Sequence, residues 1–132
     1  MCGILYSQDS SGFTDLEMLK RIGPDGFKEV SNELGYFACS HLNIVGTSLD
    51  QPKQTKSGIF LHNSATKHKL AIDNLDDNLN NTVDFVKELG GSYALIYATE
   101  HHVVFCVDHF ENKNLWFHHD KDSRHLTIAS VP

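Results

Sequence analysis

The chain has 132 residues, 40% hydrophobic and 21% charged, with a formal net charge of −6. Length and balance fit one soluble globular domain spanning residues 1–132 and exclude a disordered chain. No Lys/Arg run offers a nucleic-acid surface, and the longest apolar runs, 93–98 and 103–107, fall far short of the ~18 residues of a membrane span.

Residues 3–7 form a short apolar run that predicts a buried first strand. Thr14-Asp15-Leu16-Glu17 reads as a capping box that opens a helix ending near Ile22. Gly23-Pro24-Asp25-Gly26 is turn chemistry. Residues 27–33 and 35–45 then predict two adjacent strands, and 46–58, with Pro52, a loop. Residues 59–61 predict a strand entering Asn63-Ser64, and the Asn/Asp-rich stretch 73–81 a loop. Leu79, Val83, Val86 and Gly90 fall at helical spacing, stopped by Gly90-Gly91. Four strands close the chain, at 93–98, 103–107, 114–117 and 126–130, with turns at 100–102 and 121–123. The sum is strand-rich with one or two short helices. The expected class is α+β with mostly antiparallel sheets.

Three cysteines, an odd number with no Cys-x-x-Cys spacing, argue against a disulfide framework and for a reducing, cytoplasmic setting. The first residues lack the charged and apolar regions of a signal peptide. Cys39 and Cys106 lie in apolar strands and read as packing. Cys2 has a further meaning. Once Met1 is removed, Cys2 carries a thiol and a free α-amine of pKa about 8, which takes the thiol proton directly or through a water. One residue then supplies nucleophile and base. The other reading of Cys2 is a small buried residue.

Nine histidines are the second unusual feature. No His-Glu-x-x-His or Cys/His finger spacing occurs, so no metal is expected. His101-His102 and His118-His119 are adjacent pairs that strands would point to opposite faces, although hairpin ends can bring such pairs together. Full protonation would carry the net charge from −6 to +3, since −6 + 9 = +3.

Met1-Cys2-Gly3-Ile4 resembles the start of the class II, N-terminal-nucleophile glutamine amidotransferases. Further segments resemble the asparagine synthetase branch, in the same order. Arg21-Ile22-Gly23-Pro24-Asp25-Gly26 looks like its Arg-Gly-Pro-Asp turn, and Ser40-His41-Leu42-Asn43-Ile44-Val45 like its Arg-Leu-Ser-Ile strand. Gln51-Pro52 looks like its Gln-Pro loop, and Phe60 through Ala65 like the strand that runs into Asn-Gly-Glu. Leu89 through Ala94 resembles Leu-x-Gly-x-Phe-Ala, and Asp108-His109-Phe110 with Leu115-Trp116-Phe117 resembles Arg-Asp-x-Phe-Gly and Pro-Leu-Tyr. Ile128-Ala129-Ser130 is similar to the closing Phe-Ala-Ser-Glu.

The resemblance covers the whole chain and implies a glutaminase-like domain built as a four-layer αββα sandwich. It implies an enzyme without cofactor whose Cys2 thiolate attacks the side-chain amide of glutamine. Ammonia leaves, water hydrolyses the thioester, and the ammonia passes to a separate synthetase partner, since the family's synthetase half has no counterpart in these residues. The resemblance assigns the oxyanion to the Asn63 amide and the Ser64 N–H, and substrate contacts to His41, Val45 and Asp76 or Asp77. Asn63 read by itself is equally a turn cap.

The departures from the pattern matter as much as the matches. His41 stands where the family holds the glutamine carboxylate with Arg, a bidentate contact that imidazole does not reproduce. Ser64 replaces a Gly and Ala65 replaces the Glu that binds the ammonium. Ile22, Val107, Glu111 and Val131 also depart from the family pattern. Two alternatives follow: a catalytically degenerate interaction or regulatory module, and an N-terminal-nucleophile amidohydrolase with a different acyl substrate.

Overall fold

The computed structural model describes residues 3–9, 16–41, 51–64, 72, 75–89, 91–108 and 113–130, the side chains of His41 and Ser64 excepted. Nine strands and two helices occur among them: β1 (Gly3–Ser7), α1 (Glu17–Ile22), β2 (Gly26–Asn32), β3 (Gly35–His41), β4 (Lys53–Gln54), β5 (Gly58–Ser64), α2 (Leu79–Lys87), β6 (Tyr93–Thr99), β7 (Val103–Val107), β8 (Trp116–His119) and β9 (Leu126–Ala129). The strands form a five-stranded sheet, β2-β3-β1-β9-β8, and a four-stranded sheet, β4-β5-β6-β7. Every pairing is antiparallel. The fold is therefore mixed and β-rich.

Period-two alternation explains where each side chain goes. Ile4, Tyr6, Phe37, Cys39 and Ile128 of the first sheet meet Ile59, Leu61, Ile96 and Ala98 of the second in one buried cluster. Leu5, alternate to Ile4 and Tyr6, turns the other way and packs with Leu19 of α1, Tyr36, Ala38 and Ala129. In the second sheet Phe60, Leu95 and Tyr97 likewise face away from the central cluster, against Phe85 and Val86 of α2 with Leu75 and Leu89. β1 is buried throughout, and β6 at all but its first residue, because both of their faces are covered.

The structure bears on four local expectations and corrects three of them. The helix α1 begins at Glu17 with Leu16 at its N-cap and no capping side chain. Thr14 and Asp15 of the expected capping box lie outside the described residues. α2 starts at Leu79, inside the expected loop 73–81, because the Asn78 side chain accepts from the N–H groups of Asn80 and Asn81. Lys53–Gln54, read as loop, pairs with Ile59 and Phe60. β8 lies two residues later than expected, at Trp116–His119. The turns at 100–102 and 121–123 are as expected, closed by Thr99 N–H to His102 O and Arg124 N–H to Asp120 O.

Candidate functional site

The sandwich has two distinct ends. At one end β1 begins at Gly3, opposite Ser40 of β3, while Gly26 of β2 stands opposite His41. The second sheet brings Ser64 opposite Tyr93 and Ala94 opposite Val107 to this same end, since β1 and β5 run in opposite senses across the core. At the other end Tyr6, Gln8, the β2–β3 turn, the β4–β5 turn and the β6–β7 turn surround an open polar cleft of about 1030 Å³.

Asn63 belongs to the first end. It follows Ile59 and Leu61 at period two, so its amide points between the sheets rather than toward α2. It is 7% exposed. Ser64 follows as the last residue of β5 and His41 ends β3, so their backbones stand at the same end. Cys2 and Val45 lie outside the described residues.

Two serines that the sequence did not single out as site residues flank the start of β1. The Ile4 N–H donates to Ser130 Oγ at 2.9 Å, while the Ser130 N–H donates to Ile4 O at 2.9 Å. On the other flank Ser40 Oγ, fully buried, donates to the Leu19 carbonyl at 2.5 Å. Asp108, 3% exposed, closes the second sheet at this end by accepting from Tyr93 N–H at 3.2 Å. The motifs around Ser130 and Asp108 were visible in the sequence; their contacts were not, because each joins segments far apart in the chain.

Asp76 is not brought to Asn63. Its carboxylate accepts from Asn78 N–H at 3.0 Å and from Asn81 Nδ2 at 3.1 Å, at the entrance to α2. The adjacent Asp77 binds Thr99 Oγ1 and His101 Nδ1. Thr99 stands five residues along β6 from Ala94, the partner of Asn63, a run of about 17 Å. As a partner for a substrate ammonium near Asn63, Asp76 is too far away; its position serves helix capping.

At this far end His101 and His102 do converge, both on Asp77, with His102 Nδ1 at 3.5 Å. Asp77 holds His101 protonated to higher pH than an ordinary histidine, first by the hydrogen bond and then by charge. Thr99, then His101, keep the Asp77 carboxyl below the usual range. Among the described residues no group of three His, Cys, Asp or Glu side chains is arranged to hold a metal ion.

The two described cysteines differ sharply from a nucleophile. Cys39 is fully buried in the central cluster. Burial pushes the Cys106 thiol up to about 11, so at neutral pH almost none of it is thiolate. Burial also drives His62 of β5 down to about 4, which keeps that imidazole neutral at pH 7. Among the described residues no helix is long and apolar enough to cross a membrane. Comparison with protein-family models, with curated proteins and with solved structures found no match.

Proposed function

We propose that the chain is a class II glutamine amidotransferase-like domain that hydrolyses the side-chain amide of glutamine or a related compound through Cys2. The observation that carries this reading is Asn63: a buried amide on the inward-facing register of β5, at the end where β1 begins. Such a donor suits a tetrahedral oxyanion, which needs hydrogen bonds held ready in a site that excludes water. The reading requires Cys2 to continue the alternation of Ile4 and Tyr6 toward Asn63. The collinear motifs support it, as do the full burial of Cys39 and the raised pKa of the Cys106 thiol.

The three apolar clusters support the four-layer αββα arrangement that this family carries. One lies between the sheets, one under α1 and one under α2. The chemistry is balanced within the chain. The Cys2 α-amine takes the thiol proton, the thiolate bonds to the amide carbon, and that proton leaves with ammonia. Water then splits the thioester and returns the thiol. Ammonia would pass to a separate amidating subunit.

A second reading is favoured by Asp76. With that carboxylate engaged at the far end, and Ala65 where the family has Glu, the substrate would lack glutamine's free ammonium. The site would then serve another acyl amide. Intact mass before and after exposure to a diazoketone analogue of glutamine decides between them. Loss of Met1 followed by one adduct on Cys2 supports the first reading. Loss of Met1 with amide hydrolysis but no adduct supports the second. A retained Met1 blocks the α-amine and overturns both, leaving an interaction or regulatory module on the same fold. The substitution Cys2→Ala should abolish amide hydrolysis in either catalytic case.

A further inference from the structure

Gly3 is tightly confined. A Cβ built on it would stand 2.7 Å from Leu19 Cδ1 and 2.7 Å from Ser40 Oγ. Neither neighbour is free to retreat. Leu19 is 3% exposed and anchors α1 on the sheet, while Ser40 Oγ is held by the Leu19 carbonyl. The absence of a side chain at position 3 is what lets α1 close onto the first residue of β1. On the opposite flank Ser130 takes both backbone groups of Ile4, the N–H through its hydroxyl and the carbonyl through its own N–H.

A strand within a sheet needs only its backbone ladder to be held. Here three additional contacts, from α1, β3 and the residue after β9, converge on one strand end, at the residues that follow Cys2 in the chain. We infer that Gly3, Leu19, Ser40 and Ser130 form a seat that positions the N-terminal nucleophile, a role that rests on the proposed function above. Gly3 gives α1 its close approach. The Ser40 hydroxyl ties α1 to β3. Ser130 fixes the height of Ile4, and so the point from which the chain runs back to Cys2. None of the four is a catalytic residue; they act through the placement of Cys2. Reactions between held groups lose about a hundredfold in rate when the geometry slips by about 1 Å, so a seat of this kind is worth having.

The test compares two probes on Cys2, each rate followed by intact mass: the diazoketone analogue of glutamine, and iodoacetamide. The second reports an accessible thiolate and the first also demands placement, so their ratio isolates positioning. Gly3→Ala and Ser130→Ala should each lower the ratio about tenfold or more, in line with a displaced reacting group. Ser130→Thr, which keeps the hydroxyl, should recover it. Adding Leu19→Val to Gly3→Ala removes one of the two clashing atoms and should recover part of the loss, because the two positions couple. If Gly3→Ala does not fold, the Ser130 pair carries the test. Variants that melt earlier yet keep the wild-type ratio overturn the seat and leave the proposed function standing. A wild-type Cys2 that the diazoketone leaves unmodified overturns the glutamine reading and the seat with it.

Discussion

Asn63 completes an inward-facing series, Ile59, Leu61, Asn63, in which the first two are aliphatic and the third is an amide. The proposed function uses that amide as a hydrogen-bond donor. Asn63→Ala should leave folding intact, because the residue is the last but one of β5, beyond the end of the central cluster. It should lower the rate of amide hydrolysis about 10²–10³-fold, the usual cost of one oxyanion donor. A steady-state assay with a melting curve checks both halves. Glycine at position 35 makes a separate prediction about stability. It has φ of +134°, and a Cβ there would lie 2.3 Å from the Ser7 carbonyl oxygen. Gly35→Ala should therefore cost about 1–3 kcal/mol, measured as a lower denaturant midpoint at an unchanged slope.

At the scale of elements, the β6–β7 turn and the entrance to α2 are joined by Asp77, which binds Thr99, His101 and His102. The pH dependence of this joint follows from two opposite shifts. The His101 pKa is raised, so its contribution is full below the ordinary histidine value and is lost as pH rises through the raised value. The Asp77 pKa is lowered, so its contribution is full above the ordinary carboxylate value and is lost as pH falls through the lowered one. The joint is thus strongest in mildly acidic solution. In an NMR titration the His101 ring should show a midpoint above that of an exposed histidine, and Asp77→Asn should bring it back. An unshifted His101 in the wild type would contradict the pairing. The same joint explains why Asp76 stands with the capping residues of α2, not with Asn63: the chain from 75 to 81 is committed to one end of the sandwich.

For the whole molecule, nine histidines on a chain of net charge −6 suggest a swing to +3 on acidification. The fold divides that swing. His62, driven to about 4 by burial, stays neutral through the range in which exposed histidines charge. Its folded pKa lies below its unfolded one, so the unfolded chain binds the proton first. Stability should fall as pH drops from about 6.5 toward 4, by up to about 3 kcal/mol from this residue. Denaturant unfolding at pH 7 and pH 4 checks this: His62→Gln should lose less stability between the two than the wild type does. A wild-type protein equally stable at both would refute it.

Alternation and turn chemistry in the sequence sufficed for β1, β6, β7 and both late hairpins, because period-two patterns and Gly, Asn and Asp signals act over a few residues. They failed where tertiary contacts override local preference. Lys53–Gln54 is a strand only because β5 lies beside it. For the candidate site, sequence by itself determined the chemistry available: a thiol next to a potential α-amine, an amide at 63, and a histidine where the resembling family holds an Arg. Only the tertiary structure decided which segments stand at one end of the sandwich. It brings Asn63 to the start of β1, sends Asp76 to the far end, and gathers Ser40 and Ser130 around Gly3 and Ile4. The physical reason is that strand direction and sheet pairing set which ends meet, and those depend on contacts between residues up to 126 positions apart.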